Sequence, residues 1–175
     1  MTNALPTFTY DALSKLLNAG TVLNGAAPGT TGNLVGSVVD LGGNELAGAQ
    51  SDGAAALYNG VVVIDLAALF ITTDQLYEFI LVGSQRADMN AAAGLAATPK
   101  TYQVPLSGTY VGHQDALFAS SADFGLKQTV PGRLLLPFSN YQGGDWYRYV
   151  QLWARVTGTT PSVTLGAYIA RQPTI

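Results

Sequence analysis

The chain has 175 residues, of which 48% are hydrophobic and only 11% are charged, and its formal net charge is −3. An average soluble domain has roughly 25% charged residues, so this surface must be rich in hydroxyl, amide and apolar groups, as in proteins that lie against other proteins. The pI near 4.8 and the scattering of the basic residues argue against a nucleic-acid partner.

The residue types that are missing narrow the class further. The chain has no cysteine, which excludes a disulfide framework and a thiolate metal site. The longest apolar run, residues 60 to 71, is interrupted by Asp65 and is too short to span a membrane. The N-terminus lacks the basic start and apolar run of a signal peptide. We therefore expect a protein that folds in the cytoplasm, without a membrane partner.

The N-terminal residues have the most helical spacing in the chain. Four apolar residues at i, i+1, i+4 and i+5 predict a short helix over residues 9 to 18, or an arm that becomes ordered on a partner. Residues 24 to 33 are rich in Gly, Thr and Asn and predict a loop. This pattern divides the chain into an N-terminal arm or short helix, residues 1–32, and a single domain, residues 33–175.

From residue 33 onward the pattern is that of β-strands. About eight apolar, β-branched or alternating segments are separated by turn residues, which predicts an all-β antiparallel sandwich or jelly roll. The segment "DLAALF", residues 65 to 70, follows a β-branched run and predicts a strand with a bend or bulge. The other predicted strands lie within residues 33–44, 75–84, 100–106, 115–120, 131–140, 145–157 and 162–171.

The last two strands each separate an aliphatic face from a mixed face. We expect the aliphatic alternates of residues 150 to 156 and 163 to 169 to face the core. If residues 158 to 161 form a four-residue hairpin loop, Val156 pairs with Val163 and Trp153 pairs with Gly166. In that register the indole would cover the backbone of a strand glycine.

The chain shows no convincing catalytic constellation. His113 is the only histidine, which excludes a two- or three-histidine metal site and leaves a Ser-His-Asp triad without support. The strand carboxylates Asp40, Asp65 and Glu78 fit strand ends, bends and outward positions better than a glycosidase pair. Residues 40 to 45, "DLGGNE", are a weak calcium candidate. We predict no enzyme, no catalytic residue, no metal site and no cofactor.

The outer face of residues 147 to 155 is the most informative surface. It presents Tyr147, Tyr149, Trp153 and Arg155, and large rings with polar tips on a neutral face are typical of protein-interface anchors. These four residues are therefore the predicted protein interface. Two alternatives stay open, namely rings covered by the protein's own loops and a platform on which sugars stack.

Five segments follow one another in the order "VVDLG", "VVVID", "LYEFILVGS", "PGRLLLPFSN" and "YRYVQLWARVTGTTPSVTLGAYIA". Within them, the pair Arg148 and Tyr149 stands at a strand start, a Gly-Thr turn precedes a last strand of small residues, and Asp40 to Gly42 follow an early strand. This order, with these motifs as its closest marks, resembles the small jelly-roll cement (decoration) proteins of tailed bacteriophage heads. The resemblance covers residues 33 to 171, whereas residues 100 to 130 are longer than in compact members and the N-terminal stretch has no counterpart.

The resemblance implies a structural virion protein without enzymatic activity or cofactor. Such a protein binds the outer surface of the capsid, bridges subunits of the major capsid protein and self-associates as a dimer or trimer. The main alternative is a carbohydrate-binding β-sandwich module of a phage tail or surface adhesin, which would stack sugars on Trp146, Tyr147, Tyr149 or Trp153. An enzyme on a jelly-roll scaffold is the remaining alternative.

Overall fold

The computed structural model describes residues 14–24, 32–42, 58–71, 74–89, 103–112 and 131–171. These residues form an all-β structure, and none of them belongs to a helix long and apolar enough to cross a membrane. The strands are β1 (Lys15–Asn24), β2 (Asn33–Asp40), β3 (Asn59–Phe70), β4 (Leu76–Ser84), β5 (Val104–Gly112), β6 (Gly132–Ser139), β7 (Tyr141–Gln142), β8 (Asp145–Trp146), β9 (Tyr149–Thr157) and β10 (Ser162–Arg171).

Eight of these strands form two four-stranded sheets in which all neighbours are antiparallel. Sheet A has the order β1-β10-β3-β6 and sheet B has the order β2-β9-β4-β5, while β7 and β8 form a separate two-stranded ribbon. The predicted antiparallel β-sandwich is therefore confirmed.

One hydrophobic core fills the space between the two sheets. The alternate residues Val62 and Ile64 of β3 face Phe79 and Leu81 of β4, and all four side chains are fully buried. Val150, Leu152 and Ala154 of β9 lie in the same core, as the alternation of that strand predicts. The burial of these aliphatic faces is what drives the sheets together.

The structure corrects the prediction for the N-terminal region. Lys15–Asn24 form strand β1, which pairs with β10 in sheet A, so the helix predicted over residues 9 to 18 is wrong wherever the structure describes it. Residues 9 to 13 lie outside the described residues. Leu16 and Leu17 are both buried, because the strand is irregular between Lys15 and Thr21. Consecutive leucines on an irregular edge strand imitate helical spacing. Residues 15 to 24 belong to the sandwich, although the sequence predicted an arm up to residue 32.

The predicted hairpin between the last two strands is also wrong. Strand β9 lies in sheet B and β10 in sheet A, so Val156 pairs with Tyr77 and Val163 pairs with Leu69. Both aliphatic faces do point into the core, but they meet across it from opposite sheets. Alternation fixes which side of a strand is buried and says nothing about which sheet the strand joins.

The bulge predicted in β3 is confirmed. Leu66 stands opposite Leu165 whereas Ala68 stands opposite Thr164, so Ala67 is an extra residue on the β3 side of the ladder. Beyond this bulge Phe70 pairs with Ser162 at the end of sheet A.

A tyrosine hydroxyl ties the two sheets together at this end of the sandwich. The hydroxyl of Tyr77, a fully buried residue of sheet B, donates to the Phe70 carbonyl at 2.5 Å and accepts from the Ser162 amide at 3.0 Å. Both partners belong to sheet A. Burial raises the pKa of Tyr77 and the hydrogen bond from the Ser162 backbone opposes this in part, so the hydroxyl keeps its proton and can donate.

Side chains next to Tyr77 hold the loop that crosses from sheet B to sheet A. The Asp74 carboxylate accepts from the Thr159 amide at 3.0 Å and from the Thr159 hydroxyl at 3.0 Å. The amide group of Gln75, which is 1% exposed, donates to the Thr159 carbonyl at 2.6 Å. The crossings from β3 to β4 and from β9 to β10 are therefore fixed to each other.

Removing the Tyr77 hydroxyl should destabilise the fold, because it leaves the Ser162 amide and the Phe70 carbonyl without their partner in two partly buried hydrogen bonds. We expect Tyr77→Phe to lower the free energy of unfolding by about 1–3 kcal/mol in urea denaturation. The matched control is Tyr141→Phe, which removes an exposed hydroxyl and should change stability by less than about 0.5 kcal/mol. Equal stability of the two variants would show that the Tyr77 bridge is not a stabilising link.

Candidate binding surfaces

Three of the four predicted interface residues lie on the outer side of sheet B. Because Val150, Leu152 and Ala154 face the core, the alternation of β9 places Tyr149, Trp153 and Arg155 on the opposite side. Tyr149 and Arg155 are partly exposed, but Trp153 is only 7% exposed.

Trp153 is covered by its own chain. It packs with Val82 and Met89 in a second, smaller hydrophobic cluster, against which Leu34, Ile80 and Tyr149 also pack. Gly32 lies so close that a Cβ added there would overlap the indole ring. The prediction that the Trp153 ring covers Gly166 is therefore wrong. The ring lies against Gly32 instead. In the described structure Trp153 stabilises the outer side of sheet B.

Arg155 takes part in a row of polar side chains across the same sheet. Strand pairing places Arg155, Glu78 and Tyr110 side by side, and the guanidinium lies 2.7 Å from the Glu78 carboxylate. The Glu78 side chain is 7% exposed and that of Arg155 is 33% exposed. Burial raises the pKa of the Tyr110 hydroxyl, as does its hydrogen bond to Glu78. The Glu78 carboxylate, which the sequence predicted to face outward, is therefore paired with the positive charge of Arg155.

Tyr147 leaves the aromatic face and packs against the main core. It precedes the first residue of β9, so the alternation of that strand does not extend to it. A Cβ added to Gly83 would lie 2.8 Å from Tyr147 and 2.9 Å from Leu106, which shows that the tyrosine closes the core beside these residues. Burial and, to a lesser extent, the charge of Asp145 raise the pKa of Tyr147.

An ion pair joins β2 to the segment before β9. The Arg148 guanidinium donates two hydrogen bonds of 2.8 Å to the two carboxylate oxygens of Asp40 and lies 5.2 Å from the centre of the Tyr149 ring. The hydrogen bond from Arg148 holds the pKa of Asp40 below its ordinary value; partial burial opposes this, and the Gly42 amide assists it. Asp40 and Arg148, two of the residues on which the family resemblance was based, thus form an ion pair that links β2 to the segment before β9.

Two exposed aromatic rings lie together on the β7–β8 hairpin. The sequence analysis named Trp146 only as a candidate for sugar stacking, and it missed Tyr141 and the hairpin itself. Tyr141 and Trp146 stand opposite each other, with ring centroids 4.4 Å apart and planes inclined by 42°. Tyr141 is 45% exposed and Trp146 is 37% exposed, and neither ring belongs to a core cluster formed by the described residues. The signal was available, because "YQGGDW" places the two rings symmetrically about a Gly-Gly turn.

A buried asparagine holds the base of this hairpin. Asn140 is fully buried, accepts from the Tyr58 amide at 2.7 Å through its side-chain oxygen and donates to the Tyr147 carbonyl at 3.1 Å. Its own backbone amide donates to Tyr58, and its carbonyl accepts from the Tyr147 amide. At the tip, Gly143 and Gly144 have φ of 63° and 100°, the left-handed values that a tight two-residue turn requires. The hairpin is fixed at both ends.

The strand carboxylates do not form a reactive group. Asp65 is bound by Arg133 with N–O distances of 2.6 and 3.2 Å, and Asp40 and Glu78 are paired with Arg148 and Arg155. No group of three or more His, Asp or Glu that could hold a metal ion occurs within the described ranges. His113 and residues 43 to 45 of the weak calcium candidate lie outside those ranges.

No protein-family model, curated protein or solved structure matches this chain.

Adding a methyl group at Gly32 should disturb the cover of Trp153. In a Trp146→Phe background Trp153 is the single tryptophan, and Gly32→Ala should shift its fluorescence emission to longer wavelength and destabilise the protein by about 1–3 kcal/mol. The control Ser37→Ala changes an exposed position of β2 and should leave both quantities unchanged. Unaltered emission in Gly32→Ala would contradict the observed packing.

The Asp40–Arg148 pair should make stability depend on pH in the acid range. Because the folded pKa of Asp40 is lowered, its contribution to stability is present above the unfolded value and is lost as pH falls through the folded pKa. We expect a carboxyl ¹³C NMR titration between about pH 6 and pH 2 to give a pKa below the ordinary aspartate value. Arg148→Met should raise this pKa, whereas Arg133→Met should leave it unchanged. A titration of Asp40 that is insensitive to Arg148→Met would refute the assignment.

Proposed function

We propose that the protein is a structural cement (decoration) protein that binds the outer surface of a tailed-phage head and bridges subunits of the major capsid protein. The observation that carries this proposal is the distribution of exposed apolar side chains over separate parts of the sandwich. A protein that bridges two neighbours needs more than one contact surface, whereas an enzyme needs one concave site.

The first of these surfaces is one end of the outer side of sheet A. Val22 is 52% exposed and pairs with Thr164, and Phe70 is 43% exposed and pairs with Ser162. The two apolar residues thus lie beside hydroxyl-bearing residues on one uncharged patch. Leu135 of β6 adds a further side chain, 41% exposed, on the same side of the sheet.

The second and third surfaces lie elsewhere. Val38, on the edge strand β2 of sheet B, is 38% exposed. The Tyr141–Trp146 pair projects on its own hairpin. Contacts of this size are individually weak, but a lattice presents many copies of the partner and binding at one contact raises the local concentration at the next.

The strand order supports the family resemblance. Without the short ribbon, eight strands remain, each sheet combines strands from both halves of the chain, and the first four strands alternate between the sheets. We interpret this order as a jelly roll, an architecture of two four-stranded sheets with Greek-key connections that occurs in viral capsid proteins.

The charges of the described residues fit a structural role better than a catalytic one. Four of the eight basic residues, Arg86, Arg133, Arg148 and Arg155, form ion pairs with acids. Little uncompensated charge is left on these surfaces to activate a nucleophile or to bind an anionic ligand. The proposal includes no enzymatic activity, no cofactor and no nucleic-acid partner. It includes self-association as a dimer or trimer at a local symmetry axis of the head.

The exposed ring pair also favours a second candidate function, that of a carbohydrate-binding module. Sugars stack on exposed rings and need amide or acid groups beside them. Strand alternation, however, puts Gln142 and Asp145 on the opposite side of the ribbon from Tyr141 and Trp146. The two rings are also inclined to each other and do not form one flat platform.

Binding to heads tests the proposal directly. Heads of the encoding phage that lack this protein, mixed with purified protein and sedimented, should take it up to a saturating copy number that is a fixed ratio to the major capsid protein. Loaded heads should release DNA at a higher temperature than bare heads, because bridging resists the pressure of the packed genome. An unrelated β-sandwich of similar size and pI serves as the control. Failure to co-sediment, together with binding on a glycan array, would replace this function with the carbohydrate alternative.

A further inference from the structure

We propose that the β7–β8 hairpin is the anchor that enters a cleft of the major capsid protein, with Tyr141 and Trp146 against an apolar wall and Asp145 near a basic rim. This inference depends on the proposed function and names the part of the chain that makes the tightest contact. The predicted interface residues Tyr149 and Arg155 are then outside the anchor, because Tyr149 begins β9 and Arg155 lies six residues further along that strand.

The hairpin has one aromatic face and one polar face, and a cleft with an apolar wall and a polar rim would contact both. The cross-strand pair Tyr141 and Trp146 forms one face, and the cross-strand pair Gln142 and Asp145 forms the other. All four residues are exposed. Aromatic rings with a polar edge are the side chains that most often dominate the binding energy of protein interfaces. The ribbon has its hydrophobic area outside every core cluster of the described residues, where it contributes little to folding.

The hairpin is also arranged in advance of binding. Asn140 fixes its base through hydrogen bonds to Tyr58 and Tyr147, and the Gly143–Gly144 turn fixes its tip. The rings contact each other and so restrict each other's rotation. A contact element that is ordered before it binds loses less conformational entropy on association.

The charge of the β7–β8 ribbon indicates which class of partner it binds. Asp145 is the only charged residue of the ribbon, and the nearest cation along the chain, Arg148, is held by two hydrogen bonds to Asp40. The ribbon is therefore acidic, which disfavours nucleic acid and anionic membranes and favours a protein cleft with Lys or Arg at its rim. The inclined rings and the opposite placement of Gln142 and Asp145 disfavour a sugar for the reasons given above.

The test measures head binding by a double variant that removes both rings. Tyr141→Ala with Trp146→Ala should weaken binding to heads by roughly 30-fold or more. Its thermal unfolding temperature should stay near that of the wild type, because the rings lie outside the core clusters. The matched control, Tyr141→Phe with Trp146→Phe, keeps two rings and should retain binding within a few-fold. If the alanine variant fails to fold, Trp146→Ser alone, measured against Trp146→Phe, answers the same question.

The charge of the anchor is tested separately. Asp145→Lys should weaken head binding and reverse its dependence on salt concentration, whereas Asp145→Asn should have the smaller effect. Tighter binding by Asp145→Lys would overturn the assignment of a basic rim.

The outcomes separate this inference from the proposed function. If the wild-type protein does not bind heads, the proposed function fails and the anchor fails with it. If the wild type binds and the alanine variant binds equally well, the anchor alone is wrong. Loss of self-association with retained head binding would mean that the hairpin contacts a second copy, and loss of binding to a glycan would mean a sugar; either result overturns the inference.

Discussion

The sandwich depends on the hydrogen bonds that join its two sheets at the end where the chain crosses from one sheet to the other. The Tyr77 hydroxyl reaches from sheet B to the backbone of Phe70 and Ser162 in sheet A, and it is fully buried while it does so. Hydrophobic burial pulls sheets together without direction, whereas a buried hydroxyl between two backbone groups permits only one alignment. Asp74 and Gln75 then hold Thr159 in the neighbouring crossing. The relative position of β3, β4, β9 and β10 follows from this cluster.

The sequence was sufficient for the fold class and insufficient for the connections, and the last two strands show why. The alternation in residues 150 to 169 correctly identified the aliphatic sides as core, because period-two burial is a local property. Whether β9 and β10 pair or face each other across the core depends on Tyr77, Asp74 and β1, which lie far away in the sequence. At the N-terminus the adjacent Leu16 and Leu17 are both buried on an irregular edge strand, so their spacing could not be distinguished from helical spacing.

The predicted interface shows the same difference between what local alternation reveals and what distant contacts decide. The prediction identified the outer face of β9 correctly, but an outer face is not necessarily an exposed one. Trp153 is covered by Gly32 and Met89, which a reading of β9 alone cannot include. The exposed ring pair Tyr141 and Trp146 was recognisable from its symmetrical position about Gly143 and Gly144. The turn chemistry was thus a better guide to the exposed surface than the strand pattern was.

Four of the described aromatic side chains have two different energetic roles. Tyr77 and Trp153 are buried, and substitutions there act on the folded state. Tyr141 and Trp146 are exposed on a ribbon that the main sheets do not pair with, and substitutions there leave the core contacts intact. Folding and the proposed association therefore depend on different residues, although Asn140 connects the two regions through the backbone of Tyr147. In the proposed role, in which many modest contacts would hold the protein on a lattice, this separation would have a physical consequence: the strength of attachment could change at the hairpin while the sandwich keeps its stability.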